Sequence, residues 1–118
     1  MKSELDIKFT QEIELSFLAR TNENCNQEWH HLERAHILGQ FRSLRHFYVH
    51  LLMIRFGLVH RKFGEVLGQI PRIILAIPGS LTGLAPKGNT GGSSVGIFTP
   101  MKIPDVLQSV LKHSERNV

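Results

Sequence analysis

The chain has 118 residues, enough to bury one modest core, which predicts a single domain over 1–118. Its 42% hydrophobic and 20% charged residues argue against extensive disorder, and its single cysteine excludes an intrachain disulfide. The net charge of +4 combines an acidic first third with a basic remainder, but the basic residues are spread out and form no nucleic-acid-binding motif, so we expect no nucleic-acid partner.

Apolar residues at helical spacing predict a series of helices in the first two thirds of the chain. Four are expected, over residues 10–22, 26–40, 43–56 and 60–77. Thr10 is the expected N-cap of the first and Ser43 that of the third, because a hydroxyl can accept a bond from a free backbone N–H. Pro71 should kink the fourth helix. Residues 1–9 are expected to be flexible.

The helical pattern stops after the fourth predicted helix. Residues 78–104 are rich in Gly, Pro, Ser and Thr, which predicts a loop of a length that is usually functional or mobile. Ile97 and Phe98 are too apolar for a free tail, so the second half of the loop should pack on the helices. Pro104 begins a short last helix, and residues 114–118 are expected to be flexible.

These elements predict an all-α fold, an antiparallel bundle of four to five helices with a long Gly/Pro-rich loop before the last one. The string ILGQ at 37–40 returns as VLGQ at 66–69. This partial repeat leaves tetratricopeptide-like hairpins open as a variant of the fold.

Histidines and glutamates concentrate on the second and third predicted helices. Glu33 and His36 are three residues apart, on one face of the second helix. His46 and His50 are four residues apart, on one face of the third. A turn near Phe41 would fold the two helices back on each other and bring the four side chains to matching heights.

The spacing of Glu33, His36, His46 and His50 indicates a metal site. Imidazole and carboxylate ligands suit zinc, nickel, copper or iron, and a Glu-x-x-His step is how helical bundles present ligands inward. All four groups would close a structural site, whereas three would leave a position for water. The structural alternative is that the histidines bond ordinary neighbours and Glu33 pairs with Arg45.

Other polar residues near these helices are candidates for supporting roles. Glu28 and His31 form a second Glu-x-x-His step one turn earlier, and Gln40 and Tyr48 could orient metal ligands. Cys25, in a polar turn, is interpreted as a free thiol, because no oxyanion site or orienting group accompanies it.

A glycine-rich segment, KGNTGGSS over 87–94, looks like a phosphate cradle but lacks the GxxxxGK[ST] order. We interpret it as a turn that passes close over the helices. A lid over the histidines, with Asn89, Thr90 and Ser93 as hydrogen-bonding residues, is a variant that stays open.

Several strings in the chain resemble one protein family. They are HLERAHILGQ (31–40), RHFYVHLL (45–52), GNTGG (88–92) and PMKIP (100–104). The family consists of short bacterial proteins catalogued as a domain of unknown function, and the resemblance extends over most of the chain. It implies a bacterial origin and a small helical protein, and it carries no activity from which a catalytic residue could be transferred.

Two hypotheses for function follow. Neither is an enzyme, and an enzyme stays open as an alternative for which no residue indicates a substrate. The first is a metal-binding protein that uses the four-residue cluster. The second is a helical module that binds an unknown protein partner, suggested by the Leu-Gly-Gln repeat and by Ile97 and Phe98. The N-terminus lacks the apolar core of a signal peptide, and the most apolar run, 47–59, is too short to span a membrane. We therefore expect a cytoplasmic protein.

Overall fold

The computed structural model describes residues 3–82, 87–93, 95–96 and 99–116. Over these residues the chain forms helices and no strand, which confirms the all-α prediction. The five helices are α1 (Glu4–Thr21), α2 (Cys25–Gly39), α3 (Ser43–Val59), α4 (Phe63–Thr82) and α5 (Asp105–Arg116).

The first four helices pack in sequence order. α1 packs on α2, α2 on α3 and α3 on α4, whereas α5 returns to α1 and α2. The apolar core is built by four of the five helices, with Phe9 from α1, Leu38 from α2, Phe56 from α3 and Leu107 from α5 among its members. α4 contacts no helix but α3 among the described elements, so it forms one edge of the bundle.

α1 begins six residues before the predicted N-cap, Thr10. Ser3 caps it through a capping box, in which the Ser3 side chain accepts from the Asp6 amide at 3.1 Å and the Asp6 carboxylate accepts from the Ser3 amide. Leu5 and Phe9 are buried, so part of the segment that is expected to be flexible, 1–9, belongs to a packed helix from residue 4 onward. The added turns are stabilised by burial of these two side chains, which the apolar spacing from Thr10 onward does not capture.

α4 ends at Thr82, beyond the predicted end at residue 77, and includes both Pro71 and Pro78. Contacts with the rest of the bundle hold the extra turn, because Ser80 donates a 2.5 Å hydrogen bond to the carbonyl of Gln40. Residues 78–82 of the predicted loop 78–104 are therefore helical. Pro104 does precede α5, as expected.

None of the described helices is both long enough and apolar enough to cross a membrane. Ile97 and Phe98, which are expected to pack on the helices, lie outside the described residues.

Candidate metal centre

Three of the four predicted ligands meet in the interface between α2 and α3. His36 Nε2 lies 3.1 Å from His46 Nε2 and 3.1 Å from His50 Nε2. The side chains are buried, with exposed fractions of 4%, 7% and 2% respectively. The antiparallel pairing of α2 and α3 therefore brings three imidazoles to one point, as their spacing predicts.

The opposite ring nitrogen of each histidine faces an oxygen. His36 Nδ1 lies 2.6 Å from the carbonyl oxygen of Asn89. His50 Nδ1 lies 2.5 Å from Oε1 of Gln69. His46 Nδ1 lies 3.1 Å from the carbonyl oxygen of Ala76 and 2.8 Å from Oγ of Ser80. Carbonyl oxygens only accept hydrogen bonds, so Nδ1 of His36 and of His46 must carry a proton.

The other hydrogen bonds of Gln69 and Ser80 fix the direction of their bonds with His50 and His46. Gln69 Nε2 donates to Glu65 Oε1 at 2.8 Å and to the Gly91 carbonyl at 2.7 Å, so its amide oxygen is the atom that faces His50. Because Ser80 gives its proton to the Gln40 carbonyl, its oxygen is free to accept from His46. All three imidazoles are thus held as Nδ1–H tautomers.

This tautomer leaves the three Nε2 lone pairs pointing at one another. The Nε2 atom of His36 is 3.1 Å from each of the other two, so facing lone pairs repel. A cation between the nitrogens would attract all of these lone pairs. Metal–imidazole bonds of about 2.0–2.1 Å place neighbouring nitrogens about 2.8–3.4 Å apart in octahedral or tetrahedral geometry. The two separations from His36 fall in that range, and all three ligand atoms lie within 4.8 Å of one another, so the three residues could hold a metal ion.

At neutral pH a proton is poorly suited to take the place of the cation between the three Nε2 atoms. Burial lowers the pKa of all three histidines below the ordinary value of 6.5, and that of His50 falls to about 4. For His36 and His50 the neighbouring imidazoles lower the pKa further. The histidines are therefore neutral at pH 7, which is the form that binds metals.

The glycine-rich segment covers the histidines. Gly91, whose φ is +87°, lies against the His36 ring, and a Cβ added there would be 2.6 Å from Cδ2 of that ring. Asn89 is buried and shapes the loop, because its amide donates to the carbonyls of Gly96 and Thr99 and its oxygen accepts from the Gly91 amide. The segment is a close-packed turn over the helices rather than a phosphate cradle.

Glu33 is not among the groups that converge. The three histidines form a metal-capable cluster by themselves, with ligand atoms within 4.8 Å of one another. The Glu33 carboxyl is half-buried and hydrogen-bonds to Thr90. Burial raises its pKa, the bond with Thr90 opposes the change, and the nearby charge of Glu65 adds to it. The suggested Glu33–Arg45 pair is also absent from the described contacts, because Arg45 pairs with Asp6.

The residues predicted to support the metal ligands are in different places. Glu28 pairs with His60 and His31 with Glu12, so this second step is not directed at the cluster. Tyr48 is 42% exposed, whereas a side chain that orients a ligand of the buried cluster would itself be buried. Gln40 does contribute, through its backbone, because its carbonyl receives the Ser80 hydroxyl that in turn bonds His46.

The residues that sequence reasoning missed are on α4. Gln69, Ala76 and Ser80 all bond histidines, although α4 supplies no histidine of its own. One signal was present in the sequence, since the repeated Leu-Gly-Gln strings end at Gln40 and Gln69, which both belong to this hydrogen-bond network.

Comparison with known proteins gives one positive finding. A family model described as a protein of unknown function matches residues 3–111. No curated protein and no solved structure matches the chain.

Proposed function

The chain belongs to the DUF3703 family, whose function is unknown, and we propose from its site that it binds a transition-metal ion through three histidines. The ligands are the Nε2 atoms of His36, His46 and His50. The observation that carries the proposal is that every Nδ1 faces a fixed oxygen, so that three unprotonated nitrogens share one point.

Zinc, nickel, copper and iron are the ions that suit imidazole ligands. Because all three ligands are neutral, a bound divalent ion would keep its full charge and act as a strong electron-pair acceptor. Three protein ligands leave at least one coordination position for water or another small ligand. The buried setting suits a protein that holds or transfers a metal.

Glu33 remains a predicted fourth ligand. It lies one helical turn before His36, and its present bond is with Thr90. Replacing Glu33 with Gln keeps the shape of the side chain and removes its charge. If Glu33 is a ligand, this variant should bind metal at least about tenfold more weakly, and if it is not, the affinity should stay within twofold of the wild type.

The experiment is a metal analysis of protein purified without a histidine tag. The chain is freed of metal by a chelator, offered zinc, nickel, copper or ferrous iron separately, desalted and analysed by inductively coupled plasma mass spectrometry. We expect close to one ion per chain for at least one metal in the wild type.

Variants His46→Ala and His50→Ala should lose that ion, and His30→Ala is the matched control. His30 is also on α2 but is exposed and is not part of the cluster, so its loss should leave the stoichiometry unchanged. Circular dichroism confirms that each variant is helical before its metal content is compared. A wild-type chain that retains much less than one ion, whichever metal is offered, would overturn the proposal.

A helical interaction module is the second candidate function. One observation favours it, namely the long row of exposed apolar side chains on α4. The two functions do not exclude each other, because the residues of α4 that bond the histidines are different from those in the row.

A further inference from the structure

α4 turns its apolar side chains outward. Its buried residues are Gln69, Arg72 and Ala76, of which two are polar. Six of its large apolar residues are exposed along one side: Phe63 58%, Leu67 69%, Ile70 46%, Ile74 67%, Ile77 36% and Leu81 74%, and Leu75 is also exposed, at 41%. We name these six residues the α4 stripe. This distribution is the reverse of an ordinary surface helix, whose apolar side faces its own core.

The spacing within the α4 stripe is that of a helix-pairing seam. Successive members are separated by four, three, four, three and four residues, from Phe63 to Leu81. This alternation keeps all six on one line along the helix and is the a/d pattern of coiled coils. In coiled coils such a line packs against a second helix with the same pattern.

The surface of α4 carries no exposed charge that would keep a partner away. Its two charged residues are Glu65, which bonds Ser93 and Gln69, and Arg72, which bonds the carbonyls of Gly68 and Val95. Both are turned toward the body of the protein, and neither is exposed. The outer face is therefore apolar along its whole length.

The area of the α4 stripe is what a dimer requires. Six side chains with these exposures present roughly 700 Å² of apolar surface, above the few hundred Å² that is common on a monomer. A standard protein–protein interface buries about 800 Å² on each partner. The α4 stripe alone supplies most of that area.

We infer that the α4 stripe is the interface of a homodimer, in which α4 packs antiparallel against α4 of a second copy of this chain. A two-fold axis near position 72 pairs Leu67 with the partner's Ile77 and Ile70 with the partner's Ile74. In this register each a position of one α4 faces a d position of the other, so the two apolar lines lie against each other. The antiparallel arrangement also sets opposite helix dipoles side by side, with the exposed Arg61 before α4 near the partner's α4 C-terminus.

A membrane surface fits the α4 stripe less well. Helices that lie in a membrane interface carry Lys and Arg along their polar side, where these contact lipid headgroups. The polar side of α4 is instead covered by α3 and by the glycine-rich segment, through Gln69 and Arg72. A second copy, whose surface is complementary by symmetry, is the better occupant.

Sedimentation equilibrium at micromolar concentrations tests the inference. The wild type should have twice the 13.4 kDa mass of one chain. Leu67→Glu and Ile74→Glu should each weaken the dimer at least about a hundredfold, because two buried charges would face an apolar partner. Leu18→Glu is the control, since Leu18 is 56% exposed on α1, which does not contact α4, and this variant should remain a dimer.

A charge-complementation pair tests the direction of packing. Leu67→Lys and Ile77→Glu should each give monomers, whereas the double variant should recover the dimer, because position 67 faces position 77 of the partner only in the antiparallel register. All variants are first shown to keep the wild-type helix content, which the exposed positions allow.

Three results would overturn the inference. They are a wild type of 13.4 kDa, a dimer that survives the Glu substitutions, and a double variant that stays monomeric. A monomeric wild type that co-sediments with vesicles of phosphatidylcholine and phosphatidylglycerol would assign the α4 stripe to a membrane surface instead. The metal content of each variant is measured in parallel, so a failed dimer and a failed metal site are distinguished.

Discussion

The oxygen atoms behind the three imidazoles decide what the centre can bind. Histidine has two ring nitrogens, and the one that bonds an acceptor sets which nitrogen is left for a metal. Here a side-chain amide and two backbone carbonyls accept from Nδ1, so the ring orientation and the tautomer are both fixed. No carboxylate takes part, which separates these contacts from the carboxylate–histidine pairs that make a ligand more basic.

Gln69 is the residue at which the effect of a fixed ring orientation on metal binding is most easily tested. Gln69→Leu removes the acceptor of His50 Nδ1 and leaves all three histidines in place. We expect metal affinity, measured by competition with a chromophoric chelator, to fall about 10–100-fold. Gln11→Leu, at an exposed position of α1, should leave the affinity unchanged. An affinity for Gln69→Leu equal to that of the wild type would show that the amide does not orient the ligand.

Gly91 and Gly64 should respond to alanine in opposite directions. Gly91 has a φ of +87° and touches His36, so Gly91→Ala should destabilise the fold by about 1–3 kcal/mol and weaken metal binding. Gly64 is in α4 with open space around it, and Gly64→Ala should stabilise by about 0.5–1 kcal/mol. Urea unfolding measures both changes, and equal midpoints for the two variants would contradict this account of the glycine-rich segment.

Among the helices, α4 presents two chemically different faces. Its inward face supplies the acceptors for His46 and His50, and its outward face carries the α4 stripe. α4 adds only Ala76 to the buried apolar side chains, so polar contacts and the close approach of Gly57 to Val66 hold it on α3. It is the element whose position most directly sets the surroundings of His46 and His50.

The helix N-termini give a prediction at the same scale. Ser3 is a true N-cap with a reciprocal bond to Asp6, whereas the cap of α3 is Arg42, without a side-chain bond, and not the expected Ser43. Ser3→Ala should therefore reduce the free energy of unfolding by about 1 kcal/mol. Ser43→Ala, the matched control, should change it by less than about 0.5 kcal/mol. The unfolding midpoint in urea distinguishes the two, and the reverse order would show that the caps are wrongly assigned.

Across the whole molecule, acidic groups of the first third meet basic groups within the fold. Asp6 pairs with Arg45, and Glu12 with His31 and Arg34. Burial raises the pKa of Glu12, but its hydrogen bonds from His31 and Arg34 outweigh that effect and lower it. The charge asymmetry along the sequence is thus used in part to join α1 to α2 and α3.

The histidines make the stability of the metal-free chain depend on pH. Their pKa values are lowered by burial, so the unfolded chain binds protons near pH 6.5, while folded His50 binds one only near pH 4. The unfolded state holds more protons between these values, and stability must fall as the pH falls through this window. His50 contributes up to about 1.4 kcal/mol per pH unit within it, and His36 and His46 act in the same direction.

Urea unfolding of chelator-treated protein at pH 7, 6 and 5 measures this effect. The free energy of unfolding of the wild type should decrease steadily toward pH 5. That of the His50→Gln variant should decrease less steeply. Equal stability at all three values would show that the imidazoles are not held neutral. Asp6 and Glu12, whose pKa values are lowered, lose their contribution only at more acidic pH, below their ordinary values of 3.8 and 4.5.

The sequence by itself determined the helical class, most helix positions and the convergence of His36, His46 and His50. All of these depend on local features, because helical periodicity and a short turn between α2 and α3 set which side chains share a height. The predicted helices stopped short of the start of α1 and the end of α4, although Leu5 and Leu81 continue the apolar spacing. Capping by Ser3 and the contact between Ser80 and Gln40 decide these boundaries.

Only the tertiary structure decided what surrounds the imidazoles. The partner of His50 is 19 residues away and that of His36 is 53 residues away, so no spacing along one helix could indicate them. The same packing directs Glu33 toward Thr90 and turns the apolar side of α4 outward. Such choices depend on how distant elements pack, because many partners compete for each polar group and only the folded arrangement selects among them.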